Sequence, residues 1–418
     1  MRADRQNIAT QIENSLSVAV LGVMAVLPLL EIAGRKLAGR GIPGSMPLVQ
    51  HLTLWITFLG AALAARSDRL LALSTASFLP PRWRSAARVF TSAIGAGAAA
   101  CLCLASLELV RVEGEVREQV ALGIPVWIAV SVMPLGFGLI ALRLVWRAAE
   151  DWRGRLAAAL GLAVLALGLA PSLEGSGLVL PAGVVILAAT ALGMPVFAAL
   201  GGSALLFFWN AGVPIASVPT ETYTMSTHPL LPAIPLFALG GYILAEGGAS
   251  RRLMRACTAM VGWIPGGLAI VSTLVLAFFT PFTGASGVTI LSMGGLLLPM
   301  LVQARYPETT SVGLVTVSGS IGLLFFPSLP VILYAISARQ GFDRLFIGGL
   351  LPGLLLVVVV AAWGARRGWL AGATRTPFRA GEAVAALWDA KWELALPFLL
   401  LAGIFGGFTT LVEAAALT

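Results

Sequence analysis

The stretch Thr280–Gly295 reads TPFTGASGVTILSMGG, and it decides how the chain can fold. It lies between two strongly apolar stretches, IVSTLVLAFF before it and LLLPML after it. Because glycine and proline loosen or break regular backbone, the segment predicts a reversal of the chain between two apolar helices. We expect one helix to end at Phe282, and the next to run back through Thr289 to Leu298, where Pro299 stops it.

The composition of the whole chain places this reversal in a membrane protein. Of the 418 residues, 58% are hydrophobic and 11% are charged, and the mean hydropathy is +0.93. This is more apolar surface than one soluble core can hide, and apolar runs recur at the length of about 20 residues that crosses a bilayer. The sequence therefore predicts an all-α polytopic membrane protein. The first apolar segment has no small-residue cleavage site after it, so we expect it to be retained.

Residues 1–150 form a first part with four predicted spanning helices. These helices contain few Gly or Pro breaks and no polar cluster at membrane depth, which favours a rigid scaffold. We expect Trp55 and Trp127 to pack or anchor this part and not to contact a solute. The expected helix bounds are 15–33, 48–65, 89–107 and 122–146.

The charges in the loops predict the orientation of the chain. The 66–88 loop is rich in arginine, whereas residues 108–118 are rich in glutamate. Because basic loops stay on the cytoplasmic side, we expect the N-terminus and the 365–379 loop to be cytoplasmic, although the shorter basic loop at 35–40 points the other way. The net charge of +8 belongs to this pattern. It does not form the contiguous basic face that nucleic-acid binding needs.

The amino-acid composition of the chain changes after a connecting helix and linker at 151–177. In residues 178–418, Gly and Pro occur inside nearly every apolar segment, as in GMPVFAALGG and SGSIGLLFFPSLP. Broken backbone at membrane depth must be buried in protein or line a cavity, because lipid offers no hydrogen bonds. The second part is therefore predicted to contain the functional site of the protein.

Two broken stretches supply the candidate site. Both provide hydroxyls and freed carbonyls without a fixed charge, which suits a desolvated monovalent cation such as Na⁺. The alternative is that the small residues only let helices pack closely, and the sequence leaves both interpretations open. The candidate residues are Thr283, Gly284, Ala285 and Ser286 in the first stretch, and Ser318, Gly319, Ser320 and Ser328 in the second.

Patterns of enzyme chemistry are missing from the sequence. A membrane enzyme would need paired carboxylates, a His/Asp cluster or a nucleophile beside a base. His51 and His228 are too far apart to form a metal motif. Glu221, Glu246 and Glu413 lie near broken segments, where either a functional or an interfacial role is open. We expect neither enzymatic activity nor a cofactor.

The order of motifs resembles the membrane subunits of TRAP (tripartite ATP-independent periplasmic) transporters. IPLFALGGYILAEGG, a basic amphipathic run ending in VGWIPGGL, the TGASG hairpin, SGSIGLLFFPSLPVILYAIS and GGLLPGLL are similar to the large subunit over roughly 180–418. LTLWITFLGAALAARSDRLLALS, LPPRWR and IPVWIAVSVMPLGFGLIALRLVWRA are similar to the small subunit. The resemblance implies a fusion of the two: a four-helix scaffold followed by the first half of an elevator-type transporter with a re-entrant hairpin and broken helices.

The resemblance also implies a function. Such a protein imports an organic acid, such as a dicarboxylate, across the bacterial inner membrane by sodium-coupled secondary transport, without ATP or a prosthetic group. A separate periplasmic binding protein delivers the solute. The eight candidate residues fall on the sodium-site loop of the family and on the broken helix that faces it. Two departures are Thr289, where the family often has an aspartate, and Phe326-Pro327, where it usually has two prolines.

A further departure concerns length. The large subunit of the family contains two inverted repeats, and the chain stops at GGFTTLVEAAALT, where the second repeat should begin. We expect a second chain or a missing C-terminal half to carry that repeat, and the chain alone not to move solute. The alternative is a non-transporting structural or regulatory subunit, or a truncated remnant of a transporter.

Overall fold

A computed structural model of the protein describes residues 8–73, 78–168 and 179–418. The regular structure in these ranges is helical, and the two antiparallel bridges, Ala72 with Pro195 and Gln119 with Pro125, are isolated. The all-α prediction is therefore confirmed. The helices are α1 Ile8–Leu37, α2 Ser45–Ser67, α3 Pro81–Val116, α4 Val126–Val130, α5 Val132–Arg147, α6 Trp152–Gly168, α7 Val179–Ala191, α8 Val196–Asn210, α9 Ser217–Ser226, α10 Ala233–Glu246, α11 Ala249–Val261, α12 Gly267–Thr283, α13 Ser286–Gln303, α14 Glu308–Ile321, α15 Leu329–Ser337, α16 Phe342–Leu370, α17 Ala380–Asp389, α18 Lys391–Phe405 and α19 Leu411–Leu417.

Six helical stretches of the described chain are long and apolar enough to cross a membrane. Two bent helix pairs, α10 with α11 at 68° and α14 with α15 at 44°, would raise the number to eight. The four helices expected in the front part are all present, and most extend beyond their expected bounds because charged ends can continue the helix outside the apolar layer. The connecting helix appears as α6, whereas the turn expected at 171–177 lies outside the described residues.

The chain packs into two compact units. The first contains the residues up to Leu27 and Gly41–His228, and the second contains Pro28–Arg40 and Pro229–Thr418. This division follows packing: α7, α8 and α9 belong with the helices of the front part. The division into 1–150, 151–177 and 178–418 follows composition and stays a prediction.

In the first unit, α3 is the central helix. Its neighbours are α5, α6 and α8, and the small residues Ala96, Ala99 and Ala105 on its surface are fully buried. The rings of Phe58 and Phe137 meet edge to face, with their centroids 4.9 Å apart. Small side chains at helix contacts let backbones approach closely, which is how helices in a bilayer gain packing energy.

One carboxylate joins three helices of this unit. Glu13 on α1 forms ion pairs with Arg66 on α2, at 3.1 Å between Oε2 and Nη1, and with Arg143 on α5. Asn14 Oδ1 accepts a second hydrogen bond from Arg66 Nη2 at 2.9 Å. Since these groups are only partly exposed, the two arginine charges depend on Glu13 for compensation.

In the second unit, α12 is the central helix and packs against α10, α11, α13, α14 and α16. The basic run expected to be an amphipathic helix is confirmed as the helix α11: Leu253 and Met254 are buried, whereas Arg251 is exposed. Two ion pairs join α11 to helices near the C-terminal end of the described chain: Arg252 pairs with Glu393 on α18, and Arg255 pairs with Asp389 on α17. Its role as an interfacial arm stays a prediction.

The candidate acids and histidine have different surroundings. Glu413 is buried, pairs with Arg35 at 2.8 Å and caps α19, whereas Glu221 and Glu246 are exposed. His51 Nδ1 lies 2.8 Å from the Pro47 carbonyl, which can only accept, so this nitrogen carries the proton. Its Nε2 then accepts from the Tyr223 hydroxyl at 2.9 Å. Glu413 and His51 thus have structural partners.

Candidate functional site

The helices α12 and α13 form a hairpin. Tyr306 follows the end of α13 and donates a hydrogen bond of 2.8 Å to the carbonyl of Gly266, which precedes α12. The two open ends therefore meet, and the tip lies at Gly284 and Ala285. Burial raises the pKa of the Tyr306 phenol, against the opposing effect of a hydrogen bond at Ala269, so the phenol keeps the proton that it donates. The reversal predicted from the sequence is confirmed at this position.

The predicted ends of the two helices need correction. α12 continues to Thr283, one residue beyond the expected end at Phe282. The prediction that Pro299 stops the second helix was wrong, because α13 runs through it to Gln303. Proline lacks one N–H and crowds the carbonyl four residues before it, which here belongs to Gly295, a residue without a side chain to restrict the adjustment of its backbone. Membrane helices tolerate proline where neighbours can adjust in this way.

The tip owes its shape to one glycine. Gly284 has φ 70°, and its N–H donates to the Thr280 carbonyl at 3.0 Å, which ends α12. Ala285 is extended and directly precedes α13. The hydroxyl of Thr283 bonds to the Thr280 carbonyl at 3.2 Å and to the hydroxyl of Thr289, which is fully buried. The left-handed conformation at 284 favours glycine, which has no Cβ to clash.

The helix that faces the hairpin is broken, as predicted. α14 passes into a 3-10 turn at Gly322–Leu324, and α15 begins at Leu329 after an extended break. The ring of Phe326 in this break packs edge-on against Phe346 and Phe237, with centroid distances of 5.0 and 6.1 Å. These aromatic contacts hold the break in place.

The tip and the break touch each other. A Cβ added to Gly284 would lie 1.9 Å from Leu329 Cδ1, so no larger residue fits there without rearrangement. On the other side of the tip, a Cβ on Gly241 of α10 would lie 2.3 Å from the Phe282 carbonyl oxygen. Gly241, the second glycine of the pair in the IPLFALGGYILAEGG motif, thus allows α10 to approach the backbone of the tip.

A line of buried hydroxyls connects α12 with α14. The Thr280 hydroxyl lies 2.7 Å from the Leu276 carbonyl of its own helix and 3.0 Å from the Gly319 carbonyl of α14, so the two acceptors share its proton. Ser318 Oγ donates to Thr273 Oγ1 at 3.1 Å. Ser328, at the end of the break, is fully buried, and its hydroxyl has no hydrogen-bond partner among the described residues. A buried polar atom without a partner is uncommon and points to a missing ligand or water.

The eight predicted residues are not all brought together. Thr283 and Gly284 lie at the tip beside the break, while Ser318 and Gly319 lie on the buried face of α14. Ser328 stands next to Leu329, the residue that contacts the tip. These five residues share the region where hairpin and broken helix meet.

The other three candidates lie at its margin. Ser320 is exposed, and its hydroxyl donates to the Thr316 carbonyl of its own helix at 3.2 Å. Ala285 is exposed and Ser286 is half-buried. A contribution from Ser320 or Ala285 to a binding site would therefore have to come from the backbone.

Three threonines of this region were not among the predicted site residues. Thr273 and Thr280 are fully buried and contribute the hydroxyls that α12 directs at α14. Their spacing of seven residues places them on one face of an apolar helix, and that spacing was available in the sequence. Thr289 was noted only as the place of a family aspartate, yet its hydroxyl contacts Thr283.

The arrangement presents neutral oxygens, the type of ligand that a small monovalent cation needs. Helix ends leave carbonyls without intrahelical partners, and here two helix ends meet buried hydroxyls. The packing role of small residues is also real: a Cβ on Gly319 would lie 2.5 Å from Ile290, and one on Gly322 would lie 2.5 Å from Thr280 Cβ. These glycines bring the oxygen-bearing groups together.

Comparison with known families explains both parts of the chain. The family described as tripartite ATP-independent periplasmic transporter, DctM component, matches residues 184–418. The chain belongs to the TRAP transporter family. The DctQ component of the same transporters matches residues 24–154, which confirms that a small-type and a large-type TRAP membrane component are fused here.

Relatives of the TRAP chain differ in what their names say they carry. It is 30% identical over 385 residues to the isethionate TRAP transporter permease protein DctMQ of Oleidesulfovibrio alaskensis, an alignment that covers 88% of this chain and 60% of that protein. The C4-dicarboxylate large permease protein DctM of Vibrio cholerae is 34% identical over 54% of this chain and 50% of its own length. The ectoine large permease protein TeaC of Halomonas elongata is 32% identical over 44% of this chain and 43% of its own length. The chain thus matches about half the length of these TRAP relatives.

Proposed function

We propose that the protein forms part of a sodium-coupled secondary transporter that imports an organic acid, such as a dicarboxylate, across the bacterial inner membrane. A periplasmic binding protein delivers the solute. The names of the relatives, which include isethionate and C4-dicarboxylate, support an organic anion. Because the chain matches only about half of these relatives, a second repeat is supplied by another chain or by further sequence.

The observation that carries the proposal is the contact between the hairpin tip and the broken helix. Gly284 meets Leu329 there, and the neighbouring Ser328 hydroxyl is buried and has no hydrogen-bond partner in the described parts of the chain. We assign one Na⁺ site to this contact. Its ligands come from the hydroxyls of Thr283, Ser286, Ser318 and Ser328 and from the backbone of Gly284, Ala285, Gly319 and Ser320.

The chemistry of the proposed site fits a coupling ion. The hairpin enters the membrane and turns back inside it, where the broken helix packs against Gly284 and α10 packs against Phe282, while Ala285 of the tip remains exposed. Neutral oxygens bind Na⁺ less tightly than carboxylates would, which allows release on the side where sodium is scarce. The hairpin and broken helix then belong to the moving part of an elevator, and the four-helix part belongs to the fixed scaffold.

Sodium dependence of uptake tests the site. The chain is assayed in proteoliposomes together with its second repeat and binding protein. Ser328→Ala removes the buried hydroxyl, and Ser320→Ala is the matched control because that hydroxyl bonds to its own helix. Loss of one ligand should raise the sodium concentration for half-maximal uptake about ten-fold in Ser328→Ala, the change that corresponds to about 1.4 kcal/mol.

The control should keep the sodium dependence of the unmodified protein. The same dependence in Ser328→Ala would remove Ser328 from the site. If uptake by the unmodified protein did not respond to sodium at all, sodium coupling itself would be refuted.

The proposed orientation has its own test. We place the N-terminus and the 365–379 loop in the cytoplasm. In a variant in which Cys101, Cys103 and Cys257 are replaced by serine, a cysteine introduced as Arg375→Cys should react with an impermeant thiol reagent only after the cells are opened. Glu115→Cys, in the acidic region, should react in intact cells. The opposite pattern would invert the topology.

A further inference from the structure

A cavity unrelated to the hairpin lies in the first unit. Its volume is about 370 Å³. It opens between the ends of α2, α3, α5 and α7, beside the bridge that pairs Ala72 with Pro195. The backbone N–H of Val196 donates to the Leu71 carbonyl at 2.8 Å, so the chain segments that form this wall are joined to each other. The size suits a small ligand or a headgroup.

The charges around the cavity are mainly positive. Arg84, Arg88 and Arg147 line it together with one acid, Asp68. Arg147 is held in place by a hydrogen bond to the carbonyl of Arg66 at the end of α2. The guanidinium of Arg88 is exposed and has neither a hydrogen bond nor an ion pair within the described parts of the chain. The Arg88 guanidinium is therefore available to bind an anionic ligand.

The inner walls of the cavity combine hydroxyl groups with apolar side chains. Thr91 and Ser92 are buried residues on α3, one turn after Arg88. Leu144 on α5 and Leu192, directly after α7, contribute apolar surface. A soluble anion would gain nothing from the leucines, whereas an amphiphile uses both kinds of surface.

We propose that this cavity binds the phosphate of an anionic phospholipid, such as phosphatidylglycerol, with its acyl chains along the leucine side. Arginine is the preferred partner of phosphate because its planar fork of N–H donors matches the phosphate oxygens. The cavity lies at the ends of the apolar helices α2, α3 and α5, where lipid headgroups are found. A bound lipid would contact both family regions of the chain, since Leu192, Gly193 and Pro195 lie in the DctM match and the lining residues of α2, α3 and α5 lie in the DctQ match.

Lipid binding by the purified full chain in detergent tests this proposal. Phosphatidylglycerol is added in steps, and bound lipid is counted by native mass spectrometry while the temperature of unfolding is recorded. Arg88→Gln removes the exposed arginine of the cavity. Arg82→Gln is the matched control, because Arg82 is an exposed arginine of the same helix that does not line the cavity.

The unmodified chain should bind phosphatidylglycerol more tightly than phosphatidylcholine and should unfold at a higher temperature when the anionic lipid is present. Arg88→Gln should weaken phosphatidylglycerol binding about ten-fold, the effect of one charge-assisted hydrogen bond, and Arg88→Lys should fall between. Arg82→Gln should bind like the unmodified chain. Without lipid, all three variants should unfold at the temperature of the unmodified chain, since both arginines are exposed.

Three outcomes would overturn the proposal. Equal phosphatidylglycerol affinity in Arg88→Gln and the unmodified chain would show that the lipid binds elsewhere. Equal affinity for phosphatidylcholine would remove the role of the net negative charge. Stabilisation by inorganic phosphate or glycerol phosphate as strong as that by the lipid would identify a soluble phosphate compound as the ligand.

Discussion

Two regions of the molecule differ in the continuity of their helices. The helices α2 and α3 run unbroken for 23 and 36 residues. The 71 residues from Gly267 to Ser337 contain the four shorter helices α12 to α15. Within this segment the chain reverses at Gly284 and breaks at Phe325. Both regions are strongly apolar, so hydrophobicity alone does not distinguish them.

The difference lies in where hydrogen bonds are satisfied. In α2 and α3 the helix satisfies its own backbone, and a buried hydroxyl such as that of Ser106 donates to the carbonyl four residues earlier in the same helix. The Glu13 ion pairs join α1 to α2 and α5. In the hairpin region the breaks release backbone groups, and buried threonines and serines take up bonds between helices. Threonine and serine hydroxyls that bond to oxygens of a neighbouring helix therefore mark the region where the backbone is interrupted.

The largest effect is expected at the hairpin tip. Gly284→Ala forces a Cβ into a left-handed conformation and against Leu329, which should destabilise the protein by about 3 kcal/mol. Gly287→Ala, three residues later in α13, meets open space and should stabilise by about 0.5 kcal/mol. Unfolding by SDS in mixed micelles measures both. Similar effects at the two sites would mean that the tip is not tightly packed.

The unbroken region should respond most to the loss of Glu13. Glu13→Gln leaves Arg66 and Arg143 without their carboxylate and should cost about 2 kcal/mol in the same assay. Arg255→Gln breaks an ion pair whose partners are both about half exposed, and should cost at most about 0.5 kcal/mol. A loss for Arg255→Gln as large as that for Glu13→Gln would contradict the assigned importance of burial.

A smaller effect is expected at the tryptophans of the scaffold. Trp55 Nε1 donates to the Ala129 carbonyl at 3.0 Å, so Trp55→Phe should destabilise by about 1 kcal/mol. Trp127 is 42% exposed, and Trp127→Phe should be nearly neutral. Neither change should alter solute preference in an uptake assay. A changed preference with normal assembly would place solute contacts in this region.

The smallest expected effect is the coupling across α12 and α14. Thr273→Val and Ser318→Ala each remove one hydroxyl of a buried pair. A double-mutant cycle should give a coupling energy of about 0.6 kcal/mol, typical of hydrogen bonds between membrane helices. Zero coupling would show that the two hydroxyls do not bond to each other, and the polar contact between the helices would then rest on Thr280 alone.

Sequence alone predicted much of the fold, because the signals for it are local. Apolar runs of spanning length give the four front helices, and the Gly-rich TGASG places the reversal at the residues where the structure has it. The break before Leu329 also follows from nearby prolines and serines. The effect of Pro299 was misjudged, since whether a helix continues past proline depends on the space beside it, which the sequence does not show.

The composition of the candidate site was decided by the tertiary structure. Ser318 and Ser320 look equivalent in the sequence, yet two residues turn a helix by about 200°, so they occupy nearly opposite faces. The packing of α14 on α12 buries Ser318 and leaves Ser320 exposed. The same packing brings Thr273, far along the chain, to Ser318, and Thr280 to the carbonyl of Gly319. Sequence determined which segments break, because breaking is a property of neighbouring residues; only the folded helices decided which oxygens meet, because that depends on how each helix is rotated against the next.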